Sequence, residues 1–182
     1  MKNVGVLVGS LRKDSYSGKV AKALEDDLEG KVRVHVLKIG DLPIYNQDYD
    51  DEGAVPEEWV RFRAEVGKMD AFLFVTPEYN RSVPAVLKNA LDVASRPYGQ
   101  NKWSGKPGAV VSVSPGQMGG FGANNHLRQS LTFLNVYTMQ QPEAYIGHFV
   151  IEWEKDDGVK TKKFLKKIAE SFLEVVNRLA QE

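Results

Sequence analysis

The sequence predicts an α/β fold: one five-stranded parallel sheet with helices on both faces and right-handed crossovers. Three observations predict it. Short apolar runs and stretches of helical period alternate five times along the 182 residues. The run at residues 70–76 is almost wholly apolar, as a strand covered on both faces must be. The three unusual turns of the chain, at residues 9–17, 77–82 and 114–122, each directly follow a predicted strand.

Each element follows from local pattern. Residues 4–8, Val-Gly-Val-Leu-Val, form a buried strand that Gly9 breaks. Ser10, Arg12, Ser15 and Ser17 crowd the turn, and Val20, Ala21, Leu24 and Leu28 then repeat at helical spacing. Residues 31–39 alternate, with Val32, Val34, Val36 and Ile39 set against Arg33, His35 and Lys38, which predicts a strand at a sheet edge. A loop follows at 41–46, and the acidic cluster Asp48, Asp50, Asp51 and Glu52 reads as a solvated loop. Pro56 and Glu57 start a helix whose inner face is Trp59, Phe62 and Val66.

The central strand at 70–76 leads to Ser82, which caps a helix with Pro84 in its first turn. Val86, Leu87, Ala90, Leu91 and Ala94 lie inside that helix. Residues 96–105 form a long loop carrying Tyr98 and Trp103. A fourth strand at 108–114 runs into the glycine-rich stretch 115–122, and Asn124 or Asn125 caps a helix that buries Leu127, Leu131 and Leu134. A fifth strand begins at 136–139. The terminal helix carries Phe164, Ile168, Phe172, Val175 and Leu179 at helical spacing. No repeat or linker divides the chain, so residues 1–182 are expected to form a single domain.

Five parallel strands of this kind favour the order 2-1-3-4-5, the flavodoxin-like three-layer fold. Ligands in such sheets sit beyond the carboxyl ends of the strands, at the point where the order reverses. The three unusual turns fall on that one rim.

Composition narrows the classes. The 24 basic and 24 acidic residues cancel, so the chain carries no electrostatic footprint for nucleic acid or an anionic membrane. Cysteine is absent, which excludes disulfides, thiolate metal sites and a cysteine nucleophile. His35, His126 and His148 have no ligand spacing, so no metal site is expected. No run approaches the ~20 apolar residues of a membrane span, and a cytoplasmic location is the expectation.

The rim loops carry the chemistry. The first turn puts three serine hydroxyls and an arginine fork at a helix start, where free N–H groups favour phosphate. Its spacing matches neither the P-loop nor the dinucleotide fingerprint. A hydroxyl-and-arginine cradle suits the terminal phosphate of a mononucleotide such as FMN. The alternative is a capped helix, with Ser15 or Asp14 as cap and Arg12 solvated. The turn from Pro77 to Asn80 offers the backbone N–H groups of Glu78, Tyr79 and Asn80 and the stacking ring of Tyr79 to a flavin, or else forms an ordinary strand-to-helix turn. Glycines in the third loop allow close approach to a ring, and Ser114 stands at its start. No catalytic side chain is identifiable; His126 follows the third loop within reach of a ligand.

These residues resemble a known family. The stretch Gly9-Ser10-Leu11-Arg12-Lys13-Asp14-Ser15-Tyr16-Ser17 is similar to the G-S-x-R-x-x-S-x-N turn of the NADPH-dependent FMN reductases. Pro77-Glu78-Tyr79-Asn80 matches their P-E-Y-N motif, continued by Ser82-Val83-Pro84 and Leu87-Lys88-Asn89-Ala90. Gly119-Gly120 and His126-Leu127-Arg128-Gln129 fit the soluble chromate reductase branch, quinone reductases related to azoreductases. The similarity spans about residues 3–148.

The resemblance implies a flavodoxin-like fold, non-covalent FMN and NADPH or NADH as donor. It implies phosphate contacts from Ser10, Arg12, Ser15 and Ser17, with Leu11 and Tyr16 of the same turn also expected among the cofactor-binding residues. It implies ring contacts from Pro77, Glu78, Tyr79 and Asn80, with Ser114, Gly116 and Gly119 nearby. Ser17 stands where asparagine is common, so its shorter hydroxyl reaches phosphate less directly. The acceptor is expected to be a quinone or a similar compound (chromate, an azo dye or free flavin), reduced by a ping-pong mechanism. A homodimer or homotetramer is expected, and the loop aromatics Tyr98, Trp103 and Phe121 are either its anchors or intrachain packing. Two rivals remain: a flavodoxin-like electron carrier, and a protein that keeps the fold without binding flavin.

Overall fold

The computed structural model describes residues 1–149, 153, 155 and 158–180. Its strands are β1 (Asn3–Val8), β2 (Arg33–Val36), β3 (Ala71–Thr76), β4 (Pro107–Val113), β5 (Tyr137–Thr138) and β6 (Ala144–Ile146). Its helices are α1 (Tyr16–Leu28), α2 (Asp48–Asp51), α3 (Glu57–Gly67), α4 (Ala85–Ala94), α5 (Phe121–Phe133) and α6 (Val159–Leu179). Every pairing is parallel, in the order β2-β1-β3-β4-β5. β3 and β4 are buried along their whole length, which is why their sequences lack polar alternation.

Side-chain alternation on the strands divides the interior into two cores. Val4, Val6, Leu73, Val75 and Val111 face α1 and α6. Leu7, Phe72, Phe74 and Val110 face α3, α4 and α5. Trp103 belongs to this second core. It is fully buried against Phe72, and its indole N–H donates to the Leu91 carbonyl at 3.0 Å. It is therefore not an interface anchor: the long loop folds inward there, because only the core offers an indole that much apolar surface.

The structure revises several sequence readings. The fifth strand is split in two. β5 pairs with Pro107 and Gly108, and β6 pairs with Val111–Val113 further along the same edge of β4. Pro142, which has no N–H to donate to a ladder, lies in the gap. β2 is shorter than residues 31–39; Val36 is exposed, and Leu37 is the residue buried there.

Ser82 does not cap α4. Pro84 holds the N-cap position of that helix, and its ring carries no oxygen that could accept an N–H of the first turn. Neither Asn124 nor Asn125 caps α5, because left-handed Gly120 starts the helix earlier and leaves both inside it. On α6 two apolar stripes share Ile168 and Phe172. Packing selects the one carrying Leu165, Ala169 and Val176, while Leu179 stays exposed.

The acidic cluster is solvated at Asp48, Asp51 and Glu52, but it is not a loop. It forms α2, and Asp50 turns inward to accept two hydrogen bonds from Arg63 on α3, at 2.6 and 2.8 Å. Tyr45 adds a third at 3.3 Å. Among the described residues, no helix is long and apolar enough to cross a membrane.

Candidate functional site

The turns after β1, β3 and β4 converge at one end of the sheet and wall a cavity of about 190 Å³. Gly9 keeps the first turn in step with β3 by donating its N–H to the Val75 carbonyl at 2.8 Å. Ser15 caps α1: its Oγ accepts the Gly18 N–H at 3.0 Å. The cap uses that oxygen as an acceptor, so the hydroxyl hydrogen is still available to donate. The capped-helix and anion-cradle readings are thus compatible at Ser15. Ser10 Oγ lies 3.4 Å from the Arg12 N–H. The Arg12 guanidinium sits over the Tyr16 ring, 5.1 Å from its centroid, and no described carboxylate pairs with it.

Ser17 is the informative member. It is almost completely buried, and its Oγ has no hydrogen-bond partner. Leaving a buried hydroxyl unpaired costs roughly 1–3 kcal/mol, so native structures rarely keep one without use. Here it lines the cavity beside Ser10, Arg12 and Ser15. This is the donor set a phosphate group needs, and the residues fit one.

The second turn supplies Pro77, Glu78 and Tyr79, with the Tyr79 ring half-exposed above the cavity. The third supplies Ser114, whose Oγ donates to the Gly116 carbonyl at 3.2 Å. Ser112 and Asn124 hold this loop from below. Ser112 Oγ donates to the Gly119 carbonyl at 2.7 Å, and Asn124 Nδ2 donates to Ser112 Oγ and to the Ala144 carbonyl. A burial-shifted hydroxyl stands near this helix too: burial, then the bond to Glu143, raises the Tyr145 pKa above its ordinary value.

The cavity therefore brings together Ser10, Arg12, Ser15, Tyr16, Ser17, Pro77, Glu78, Tyr79 and Ser114. Leu11, Asn80, Gly116 and Gly119 are not in its wall. Leu11 packs beside Gly40, Asn80 is exposed in its turn, Gly116 is exposed, and Gly119 is buried against the backbone of Tyr145 and Gly147. Val113 and Pro115 line the cavity and were not anticipated, although their place at the end of β4 was the available signal. His126 lies outside the wall, its Nδ1 3.0 Å from Ser82 Oγ.

A larger cleft, about 630 Å³, adjoins the first turn between α1 and α6, with Lys19, Lys22 and Lys162 in its lining. It is wider but holds no buried unpaired donor among the described residues, so the smaller cavity is the better anion site.

Fold and rim together define an α/β protein of flavodoxin architecture. The model of the NADPH-dependent FMN reductases matches residues 2–150, and the chain belongs to that family. It is an oxidoreductase that uses FMN and a reduced nicotinamide nucleotide. A quinone reductase of Pseudomonas putida is 56% identical over 172 residues, covering 93% of this chain and 92% of its own. A 2-hydroxy-1,4-benzoquinone reductase of a Burkholderia species is 47% identical over 145 residues, covering 80% and 78%. Among solved structures, FerB, an NAD(P)H:(acceptor) oxidoreductase of Paracoccus denitrificans, superposes with a TM-score of 0.91 at 43% identity over both whole chains. A flavodoxin of Pseudomonas aeruginosa, at 18% identity and a TM-score of 0.57, shares the fold alone.

Proposed function

We propose that the protein is a quinone reductase whose three rim loops hold FMN. One observation carries this reading: a single cavity walled by all three loops, with an unpaired buried hydroxyl at its floor and a half-exposed tyrosine at its mouth. Ser10, Arg12, Ser15 and Ser17 hold the phosphate. Pro77, Glu78, Tyr79 and Asn80 seat the ring, with Ser114, Gly116 and Gly119 along the third loop. The enclosed volume is below the roughly 300–1,000 Å³ of a complete small-ligand pocket. The cavity would thus hold the phosphate end, and the ring would be left to Pro77, Glu78, Tyr79 and Ser114 toward its open side.

When bound, FMN supplies a two-electron carrier between reduced nicotinamide and the acceptor. The chain contributes placement. Arg12 and the hydroxyls fix the phosphate, the backbone of the second turn orients the ring edge, and the open face admits one flat partner at a time. Quinones are favoured as acceptors because the relatives at 56% and 47% identity are named for quinone reduction. Chromate, azo dyes and free flavins are secondary acceptors on the same face. An electron carrier gains from net charge for docking its partners, whereas here 24 positive and 24 negative residues cancel.

The chain acts as one FMN-binding unit in a homo-oligomer, in the cytoplasm where reduced nicotinamide nucleotides are held. A groove of about 570 Å³ between α4 and α5, lined by Leu91, His126, Phe133 and Leu134, is the surface offered to a second copy.

The test is a steady-state comparison of benzoquinone with chromate, an azo dye and free FMN, using NADH and NADPH in turn. The expected result is the highest kcat/KM for benzoquinone. A higher value for free FMN or chromate overturns the quinone assignment.

A further inference from the structure

Glu78 makes a contact that holding a ring does not require. Its Oε2 accepts the N–H of Ala123, in the first turn of α5, at 3.0 Å across 45 positions of sequence. That helix has no acidic residue in its own first turn, and Gly120 at its start has no side chain with which to cap it. Glu78 supplies both the missing acceptor and the negative charge that a helix N-terminus favours.

The same residue adjoins a strained turn. Tyr79 and Ser82 exchange two backbone hydrogen bonds, at 3.1 and 3.0 Å. Between them Asn80 and Arg81 both have positive φ, 50° and 64°. Two left-handed residues in this arrangement are the mark of a type I′ turn, which normally places glycine at one of them. Arg81 has a Cβ and bears the strain, so surrounding structure must hold the turn in place.

α5 is that structure, and it touches the turn at three places. Glu78 reaches Ala123. Ser82 Oγ lies 3.0 Å from His126 Nδ1. At Gly122 the helix backbone passes so close that a Cβ would stand 2.6 Å from the Arg81 carbonyl oxygen and 3.0 Å from Glu78 Oε2. Arg81 Nη1, 3.7 Å from Glu78 Oε1, adds a loose ion pair.

We propose that the Glu78 side chain is a positioning residue. By capping α5 it clamps the Tyr79–Ser82 turn to the helix that follows the third loop, and so pre-organises the two loops on either side of the ring. The inference rests on the reading of residues 77–80 as the ring's seat. Losing the clamp makes the turn pay its ordering cost on binding, whatever the ligand carries at its other end.

Affinity for FMN and for riboflavin separates this role from a phosphate contact. It is read by flavin-fluorescence titration of the flavin-free protein, with near-ultraviolet circular dichroism as the check on folding. Glu78→Ala should weaken both flavins by the same factor, about tenfold. Glu78→Gln keeps an amide oxygen for the Ala123 N–H and should restore affinity to within about threefold of the original. Gly122→Ala removes no polar group yet crowds the Arg81 carbonyl, and should reproduce the Glu78→Ala loss. Unchanged riboflavin affinity in Glu78→Ala overturns the clamp, as does a Gln variant as impaired as the Ala one. If Glu78→Ala does not fold, the Gln and Gly122→Ala variants decide alone. Absence of riboflavin binding by the unmutated protein overturns the ring seat itself, a different result from failure of the clamp.

Discussion

Arg12 and Ser17 line the same cavity, and in the proposed phosphate cradle they would act by different physics. Arg12 lies on the surface of the turn, and no apolar pattern needs it. Arg12→Ala should therefore leave the fold intact and lower FMN affinity about ten- to a hundredfold, as loss of a charged hydrogen bond of roughly 1.5–3 kcal/mol implies. Riboflavin, which lacks the phosphate, should bind as before; equal losses for both in parallel titrations would reject the pairing. Ser17 is buried with its oxygen unpaired. Ser17→Ala removes that penalty, so the flavin-free protein should gain about 1 kcal/mol. Thermal unfolding should show this as a Tm higher by roughly 2–4 °C. FMN affinity should fall in the same variant, and a Tm that drops instead would refute the account. The grouping of Ser10, Arg12, Ser15 and Ser17 at one cavity was legible in the sequence because they sit within eight positions of one another. The side-chain role of Glu78 was not, because its partner is 45 positions away and appears only once α5 folds against the second turn.

Among the elements, the ones whose pattern is set by burial were the readable ones. β3, all apolar, and the inner face of α3, at Trp59, Phe62 and Val66, could be placed from hydrophobicity alone. Helix starts were not readable at α4 and α5, since a proline and a left-handed glycine begin them and the nearby Ser82, Asn124 and Asn125 are used elsewhere. Asp50 was misread for a related reason: charge density in a sequence does not reveal which carboxylate turns inward. Its side chain is 4% exposed and joins α2 to α3 through Arg63, whose Nε also donates to the Val93 carbonyl on α4. Hydrogen bonding from Arg63, against the opposing effect of burial, holds the Asp50 carboxyl below its ordinary pKa. A depressed folded-state pKa stabilises the protein fully above the unfolded value of about 3.9 and loses that stabilisation as pH falls through the folded value. Asp50→Ala, which strands a buried guanidinium, should cost about 3 kcal/mol at pH 7 in urea denaturation. The unmutated protein should lose stability more steeply than the variant below about pH 4. Parallel pH profiles would show that the pair is not what the acid limb reports.

For the whole molecule, the absence of net charge leaves shape and apolar surface to determine what it associates with. Phe133 ends α5 with 86% of its surface exposed, beside the groove that Leu91 and Leu134 line between α4 and α5. An aromatic this exposed gains little in a monomer, whereas aromatics in desolvated contacts carry much of the binding energy of interfaces. The groove also runs past His126, whose partner Ser82 closes the strained turn, so a second copy seated there would stand next to the Tyr79–Ser82 turn. A stable dimer needs roughly 800 Å² from each partner, an area the outer faces of two helices of 10 and 13 residues can contribute to. Light scattering at micromolar concentration should therefore give a multiple of the 20.3 kDa chain mass. Phe133→Asp, which places a charge in the contact, should shift that mass toward the monomer. The variant should keep its affinity for FMN, because Phe133 lies at the opposite end of α5 from Gly122 and Ala123. A change in kcat with the acceptor at unchanged FMN affinity would indicate that the neighbouring copy helps to form the acceptor's side of the ring. A monomer mass for the unmutated protein, or an oligomer untouched by Phe133→Asp, would assign the groove some other purpose.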